Sequence, residues 1–565
     1  MPEAATLAPL DRVTLLERAA EAAHLLYDQP RAVELVRAAL TGLDQVADPA
    51  RAGLLHERLG RYLYVTFDES ALLAYDQAVQ LVPAEPRSAE RARVLAGYAQ
   101  VLSLLARDAE SRQVAEEALV AARQAGSRRE EGRALASLGV ALARLGDPNR
   151  GLVHLRDARR IAEEQADVDG LGLACITLTY VSEGAGRLEE ALAVALQGAE
   201  ASRRLGSRAW HDSLQADAGE VEFRLGRWDE ADRRLRAVLE RDRLTGPHSV
   251  HARWERARLD IARGDFGAAR RWLQEADELA GRAGRAQFNA QFAGPLAIAR
   301  AELALWEGRN QEAFQAVADG LAALARVGDE AGFPDLFPLG MAATADRAEW
   351  ASARRATVEA EAARRNGDKL LARLEALADV NTSFPELSTV LAQSRAEHAR
   401  LHGQADPAAW TAAAVRWNRI GQPYSAAYAR WREAEALLAS QAARAQAEEA
   451  LGAAHAVAVR LGAAPLRQEL ELLAQRGRIR LEAPVEPPAT EPEAPSEAAS
   501  LGLTRREAEV LTLVAAGRTN RQIGQALYIT PKTASVHVSR ILAKLGVAGR
   551  GEAAAVAHRL GLDRP

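Results

Sequence analysis

Leu145-Gly146-Asp147-Pro148-Asn149-Arg150-Gly151 sets the pattern that organises most of this chain. Its turn returns as Ala185-Gly186-Arg187, Leu225-Gly226-Arg227, Arg263-Gly264-Asp265 and Glu307-Gly308-Arg309, so successive glycines stand 40, 40, 38 and 44 residues apart. Five residues after each glycine comes a small residue, Gly151, Ala191, Ala231, Ala269 and Ala313, which lets two helices approach closely. A second series, Gly126-Ser127, Ala166-Asp167 and Gly206-Ser207, keeps the 40-residue step and lies half a period away. Two turns per forty residues, joined by segments rich in Ala, Leu, Arg and Glu, are the mark of stacked helix-turn-helix hairpins.

These segments resemble tetratricopeptide repeats, somewhat longer than the usual length of about 34 residues. Earlier phases are visible at Leu105-Ala106-Arg107 and near Phe67-Asp68. The register blurs between Gly328 and Pro385. It returns from Ala409-Trp410 to Trp417, through Gly421-Gln422-Pro423-Tyr424, to Tyr428 and Ala434, which read as two helices about a short turn. Residues 1–480 are expected to form an all-α solenoid of roughly a dozen hairpins, with a concave surface for a partner.

Leu481 to Ser500 holds five prolines and five glutamates and no basic residue. That composition cannot pack a core, so 481–500 is expected to be a linker, spanning roughly 60 Å when extended at about 3.1 Å per residue.

Beyond it the pattern changes. Thr504 with Glu507 forms a capping box, predicting a helix from Arg505 through Val510, Leu511, Leu513 and Val514 to Gly517. Thr519 with Gln522 repeats the device for a short helix that turns Ile523 and Leu527 inward. A turn through Tyr528 and Ile529 leads to Thr530-Pro531, an N-cap with proline at the first helical position. On the helix that follows, Ala534, Val538, Ile541, Leu542 and Leu545 share a buried stripe until Gly546. The opposite face carries Lys532, Thr533, Val536, Arg540 and Lys544. An exposed valine among cations fits a major groove, where Lys and Arg meet phosphates or guanine edges and an apolar group packs on a thymine methyl. Residues 501–565 hold ten Lys plus Arg against four Asp plus Glu, a net of +6, while the whole chain carries −5. One basic module is thus joined to an acidic body.

Leu503-Thr504, Arg506-Glu507, Glu509-Val510-Leu511, Gly517-Arg518-Thr519-Asn520, Ile523, Leu527, Ile529-Thr530, Thr533, His537-Val538, Ile541, Lys544-Leu545 and Arg550 together resemble the LuxR-type helix-turn-helix domain. The resemblance covers about one eighth of the chain. It implies four helices, the third entering the major groove and the last often dimerising. Many members carry valine where this chain has Ala534 and a basic residue where it has Ser535, which bears on affinity and register. Repeats followed by such a domain are similar to the large ATP-binding LuxR-type regulators, whose N-terminal third is an ATPase. No G-x-x-x-x-G-K-[ST] occurs here, and the chain's lysines are Lys369, Lys532 and Lys544, so a P-loop in its usual form is excluded. The chain is either an ATPase-free relative or the downstream part of a longer protein.

The expected function is sequence-specific regulation of transcription, with the solenoid sensing a small molecule or protein and residues 501–565 binding operator DNA as a homodimer. RNA polymerase is a further expected partner. Lys532, Thr533, Val536, Ser539 and Arg540 are expected at bases or adjoining phosphates and Lys544 at phosphate. Ala553, Val556, Ala557 and Leu560 form either a dimer seam or part of the module's own core. The rival is an adaptor whose C-terminal bundle docks on protein.

No catalytic constellation, cofactor loop or metal set stands out, so no enzyme activity, cofactor or metal is expected. His398 and His402, and His248 and His251, have ligand spacing but no evident third partner. Cys175 reads as a buried small residue, and no intrachain disulfide can form. The nine tryptophans all fall in the repeats and read mostly as core, Trp228 and Trp272 filling gaps between hairpins. Arg203-Arg204 and Arg233-Arg234, interleaved with acids, read as solvated faces. With no signal peptide and no apolar run of membrane-spanning length, a cytoplasmic location away from membranes is expected. The preference for Arg over Lys, with abundant Ala, fits a GC-rich bacterial genome.

Overall fold

A computed structural model describes residues 11–25, 28–65, 70–241, 247–282, 288–326, 328–380, 384–440 and 444–481. Further on it describes 505–520, 522–523, 535, 537–538, 541–542, 544–545, 547 and 549–559. The chain divides into two compact units, Met1–Glu482 and Ala483–Pro565.

The first unit is a row of antiparallel helices. It begins with α1 (Arg12–Leu25), α2 (Gln29–Gly42), α3 (Pro49–Val65), α4 (Ser70–Leu81), α5 (Ala89–Leu104) and α6 (Asp108–Gln124). The regular hairpins follow: α7 (Arg128–Arg144) with α8 (Pro148–Glu164), α9 (Val168–Gly184) with α10 (Leu188–Arg204), and α11 (Arg208–Arg224) with α12 (Trp228–Arg241). Next come α13 (Pro247–Arg263) with α14 (Phe266–Arg282) and α15 (Phe288–Trp306) with α16 (Asn310–Ala325). The row ends with α17 (Leu336–Ala353), α18 (Thr357–Val380), α19 (Pro385–Leu401), α20 (Pro407–Arg419), α21 (Pro423–Ala439), α22 (Arg444–Leu461) and α23 (Ala464–Gly477).

Each expected turn that falls among the described residues is present, while the phase near Phe67-Asp68 lies outside them. Gly146, Gly186, Gly226, Gly264 and Gly308 all have positive φ, as do Gly126, Ala166 and Gly206 of the second series and Ala106 of the earlier phase. The small residue five positions on is buried in every case. At Gly151 a Cβ would lie 2.4 Å from the Gly139 carbonyl oxygen, so only glycine permits that crossing.

Between Gly328 and Pro385 the hairpin persists although its signal fades. Arg355 takes the left-handed turn position in place of glycine, and α18 runs to 24 residues, so the repeat outgrows its usual step.

From α7 to α17 each odd-numbered helix packs both on its hairpin partner and on the next odd-numbered helix, so the odd-numbered helices form one continuous inner layer. Later helices then pack on the turns of earlier hairpins. A Cβ at Gly186 would meet Ile420, at Gly226 Pro423 and Leu461, and at Gly264 Pro465. One apolar cluster accordingly joins Phe223, Trp228 and Leu259 to Ala427, Trp431, Leu461 and Leu466.

Trp228 is buried, donates from Nε1 to the Phe223 carbonyl at 3.0 Å and meets Tyr424 edge-on; Trp272 is half-buried and donates to Asp260 at 3.1 Å. Trp350 departs from the core expectation: it is 59% exposed under the Arg354 guanidinium. Cys175 is fully buried, and burial pushes its thiol up to about 12. Among the described residues no helix is long and apolar enough to cross a membrane.

In the second unit the described helices are α24 (Arg505–Ala515) and α25 (Arg550–Arg559), with helical residues between them from Asn520 to Leu545. Val510, Leu511, Val514, Ile523, Val538, Ile541, Ala553 and Ala557 form its core. The expected start at Thr530-Pro531 and the linker from Glu482 to Ser500 lie outside the described residues.

Candidate nucleic-acid interface and the inner face of the repeats

The second unit is tied together by polar contacts that its sequence foreshadows. The Thr519 amide donates to Gln522 Oε1 at 2.9 Å and the Gln522 amide donates to Thr519 Oγ1 at 3.3 Å, a reciprocal capping box. Gly517, with φ +73°, closes α24 as expected. Arg550 donates to Asn520 Oδ1 at 2.9 Å and also to the Arg518 carbonyl, fastening that turn to α25.

Lys544 makes a 2.6 Å ion pair with Glu507, whose side chain is 5% exposed. A buried carboxylate needs such a partner, so Lys544 supports the fold of the module whatever else its ammonium meets. The other expected DNA contacts, Lys532, Thr533, Val536, Ser539 and Arg540, lie outside the described residues, while Ser535 is exposed. Ala553 and Ala557 turn into the module's own core and Val556 is half-buried, so that half of the anticipated seam serves internal packing.

The inner face of the repeat unit carries a cluster of charges. On α11 stand Asp217, Glu220 and Arg224, and on α13 His251, Glu255 and Arg258, each set spaced along one side of its helix. Arg224 pairs with Glu183 of α9 at 2.7 Å and with Glu386 of α19. Arg258 pairs with Glu302 of α15 at 3.1 Å and approaches Asp335, just before α17, at 4.0 Å. His251 sits between Asp217, 3.2 Å from Nδ1, and Glu220, 3.1 Å from Nε2.

These surroundings shift protons. Burial and then the charge of Glu220 raise the carboxyls of Glu183 and Glu255 well above the ordinary range. Burial works against a charged His251, but the carboxylates of Asp217 and Glu220 outweigh it and hold the imidazole well above its usual value.

In the sequence only His251 of this face stands out, by its spacing from His248, because acids beside arginines look like solvated surface. Arg234 shows the same misreading: it donates to Glu222, whose side chain is 4% exposed, and so anchors a buried carboxylate, whereas Arg203 does pair with Glu200 at the surface. The fold also supplies the third partner that His398 and His402 lacked, since Nε2 of each lies 2.8 Å from Asp368 Oδ1.

Comparison with known proteins bears on the second unit. Residues 501–557 match the bacterial regulatory proteins of the luxR family. Over 57 residues the chain is 53% identical to the transcriptional regulatory protein LiaR of Bacillus subtilis (strain 168), covering 10% of this chain and 27% of that protein. Over 64 residues it is 44% identical to the DNA-binding transcriptional activator DevR/DosR of Mycobacterium tuberculosis (strain ATCC 25618 / H37Rv), covering 11% and 30%. The chain therefore spans little more than a quarter of the length of these curated relatives. Among solved structures, a Rap protein complexed with Competence and Sporulation Factor aligns with 11% identity and a TM-score of 0.41, over 69% of this chain and 99% of that one. The C-terminal unit carries a LuxR-family helix-turn-helix domain, and the unit before it is an all-α array of tetratricopeptide-like hairpins.

Proposed function

We propose that this protein regulates transcription, its LuxR-family domain binding operator DNA and its repeat unit sensing a small molecule or protein partner. The observation that carries the reading is the match over 501–557 to a family of bacterial regulatory proteins, in a segment whose capping box, core and closing arginine are all in place. Lys532, Thr533, Val536, Ser539 and Arg540 meet bases or adjoining phosphates, and Lys544 a phosphate. Two modules on a symmetric operator gain over one on a half-site, so the DNA-bound form is a homodimer. Because Ala553 and Ala557 face inward, its seam uses Val556 and neighbours on the outer side of α25. The five glutamates of the linker, 481–500, compete with phosphate for the +6 domain and lower its affinity for random DNA.

The test is selection from a random duplex library with the full chain at physiological salt. A repeated half-site is expected. Val536→Ala should then relax preference at one base pair by about 1–3 kcal/mol. Absence of any enriched sequence would overturn the reading in favour of a protein-docking adaptor.

A further inference from the structure

We infer that the inner face of the repeat unit holds a divalent transition-metal ion, bound by Glu220 of α11 together with His251 and Glu255 of α13. His251 and Glu255 are four residues apart on one helix and so project from the same side, one turn apart. Glu220 reaches them from the adjacent inner helix. A carboxylate oxygen of each glutamate and a ring nitrogen of His251 lie within 4.8 Å of one another. His251 Nε2 and Glu220 Oε2, at 3.1 Å, already have about the ligand spacing of a tetrahedral zinc with bonds of about 2.0–2.1 Å. Rotation of the Glu255 side chain closes the remainder.

Two further observations point to a cation. Glu255 is buried, its side chain 2% exposed; Oε1 accepts from Trp254 Nε1 at 2.7 Å, whereas Oε2 finds no hydrogen-bond donor among the described residues. Asp217 Oδ2 is likewise buried without a donor. Such orphaned oxygens are costly unless something positive faces them. The neighbouring arginines are committed elsewhere, Arg224 to Glu183 and Glu386, Arg258 to Glu302, with Glu255 only at 3.7 Å. Three carboxyl groups, of Asp217, Glu220 and Glu255, are thus left around one imidazole, and whenever all three are ionised they outnumber even a doubly protonated ring by two charges.

The surroundings are those of a ligating histidine. Metal-bound imidazoles donate their other N–H to a carboxylate that fixes the ring, and Asp217 stands 3.2 Å from Nδ1 for that role while Trp254 packs on the ring at 4.7 Å. Entry is open, since the Glu220 side chain keeps 26% of its surface. One imidazole with carboxylates suits zinc or manganese; calcium prefers oxygen alone and copper(I) soft sulfur. On binding, the ion takes the Nε2 lone pair and the proton held there leaves to solvent. Asp368, His398 and His402 are a weaker candidate, since both imidazoles already face a single oxygen of an exposed aspartate.

Under the sensing role proposed above, this ion is an effector or part of an effector's site, yet its binding is measured without DNA, so failure here and failure of the DNA-binding reading are told apart. The full chain bearing His398→Gln and His402→Gln is stripped with chelator and titrated with Zn2+ and then Mn2+ by calorimetry in buffers of different ionisation enthalpy. Expected are one ion per chain and release of about one proton. Asp217→Asn should weaken binding about 10–100-fold. Glu255→Gln and His251→Gln should abolish stoichiometric binding while retaining helical circular dichroism. No binding by the parent, or undiminished binding by Glu255→Gln, would overturn the assignment.

Discussion

At the residue scale, equivalent glycines carry different loads. Gly206, between two hairpins, and Gly226, within one, both turn the chain with positive φ, but a Cβ at Gly206 meets nothing within 4 Å, whereas at Gly226 it would lie 2.7 Å from Pro423 and 3.1 Å from Leu461. Gly206→Ala should cost about 1–2 kcal/mol of backbone strain. Gly226→Ala should add about 1–3 kcal/mol of overpacking against the later hairpins, a difference read directly from chemical denaturation. Lys544 has a comparable double character. Its ammonium holds the buried Glu507 carboxylate, so Lys544→Ala alone confounds stability with DNA affinity. The pair Lys544→Ala/Glu507→Gln removes the stranded charge; filter-binding titrations with it should show all sequences weakened alike and the salt slope reduced by about one unit. An unchanged slope would assign Lys544 to the fold alone.

At the scale of helices and turns, the glycine spacing was legible because a left-handed turn residue is a local, repeated requirement. Sequence position alone did not say what the residue after each turn does. Asp147 caps α8, accepting the Arg150 amide at 3.1 Å. Asp167, at the same place in the second series, makes no cap hydrogen bond and instead binds Arg129 at 2.6 Å and Arg133 at 3.0 Å on α7, with its side chain 2% exposed. Asp147→Ala should therefore cost about 1 kcal/mol, the usual value of a cap. Asp167→Ala should cost clearly more, because it leaves the Arg133 guanidinium half-buried without its acid; equal melting temperatures for the two variants would refute the distinction. The hairpin of α17 and α18 was illegible for the converse reason: Arg355 occupies the turn that a glycine marks elsewhere.

For the whole molecule, the charges of the inner face set a pH dependence whose sign is fixed. Glu183, Glu255, Glu302 and Asp217 are raised, chiefly by burial, and His251 is raised by its two carboxylates, so the folded chain binds more protons than the unfolded one from the ordinary carboxylate range upward. That stability is complete below the unfolded values and is lost as pH climbs through the folded ones. Asp167 and Glu220 are lowered and act oppositely, losing their contribution as pH falls below the carboxylate range. Thermal melts of the repeat unit within the full chain should peak on the acid side of neutrality and decline toward alkaline pH, and Glu183→Gln should flatten the decline. The sequence by itself determined the all-α repeat architecture and the LuxR-family module, because turns, caps and buried stripes are set by residues close together in the chain. Only the tertiary structure decided that the second half of the repeat unit seats on the turns of the first, that Glu507 belongs to Lys544, and that Asp217, Glu220, His251 and Glu255 converge. Those pairings join residues from one turn to some two hundred positions apart, and burial, not local pattern, gives them their chemistry.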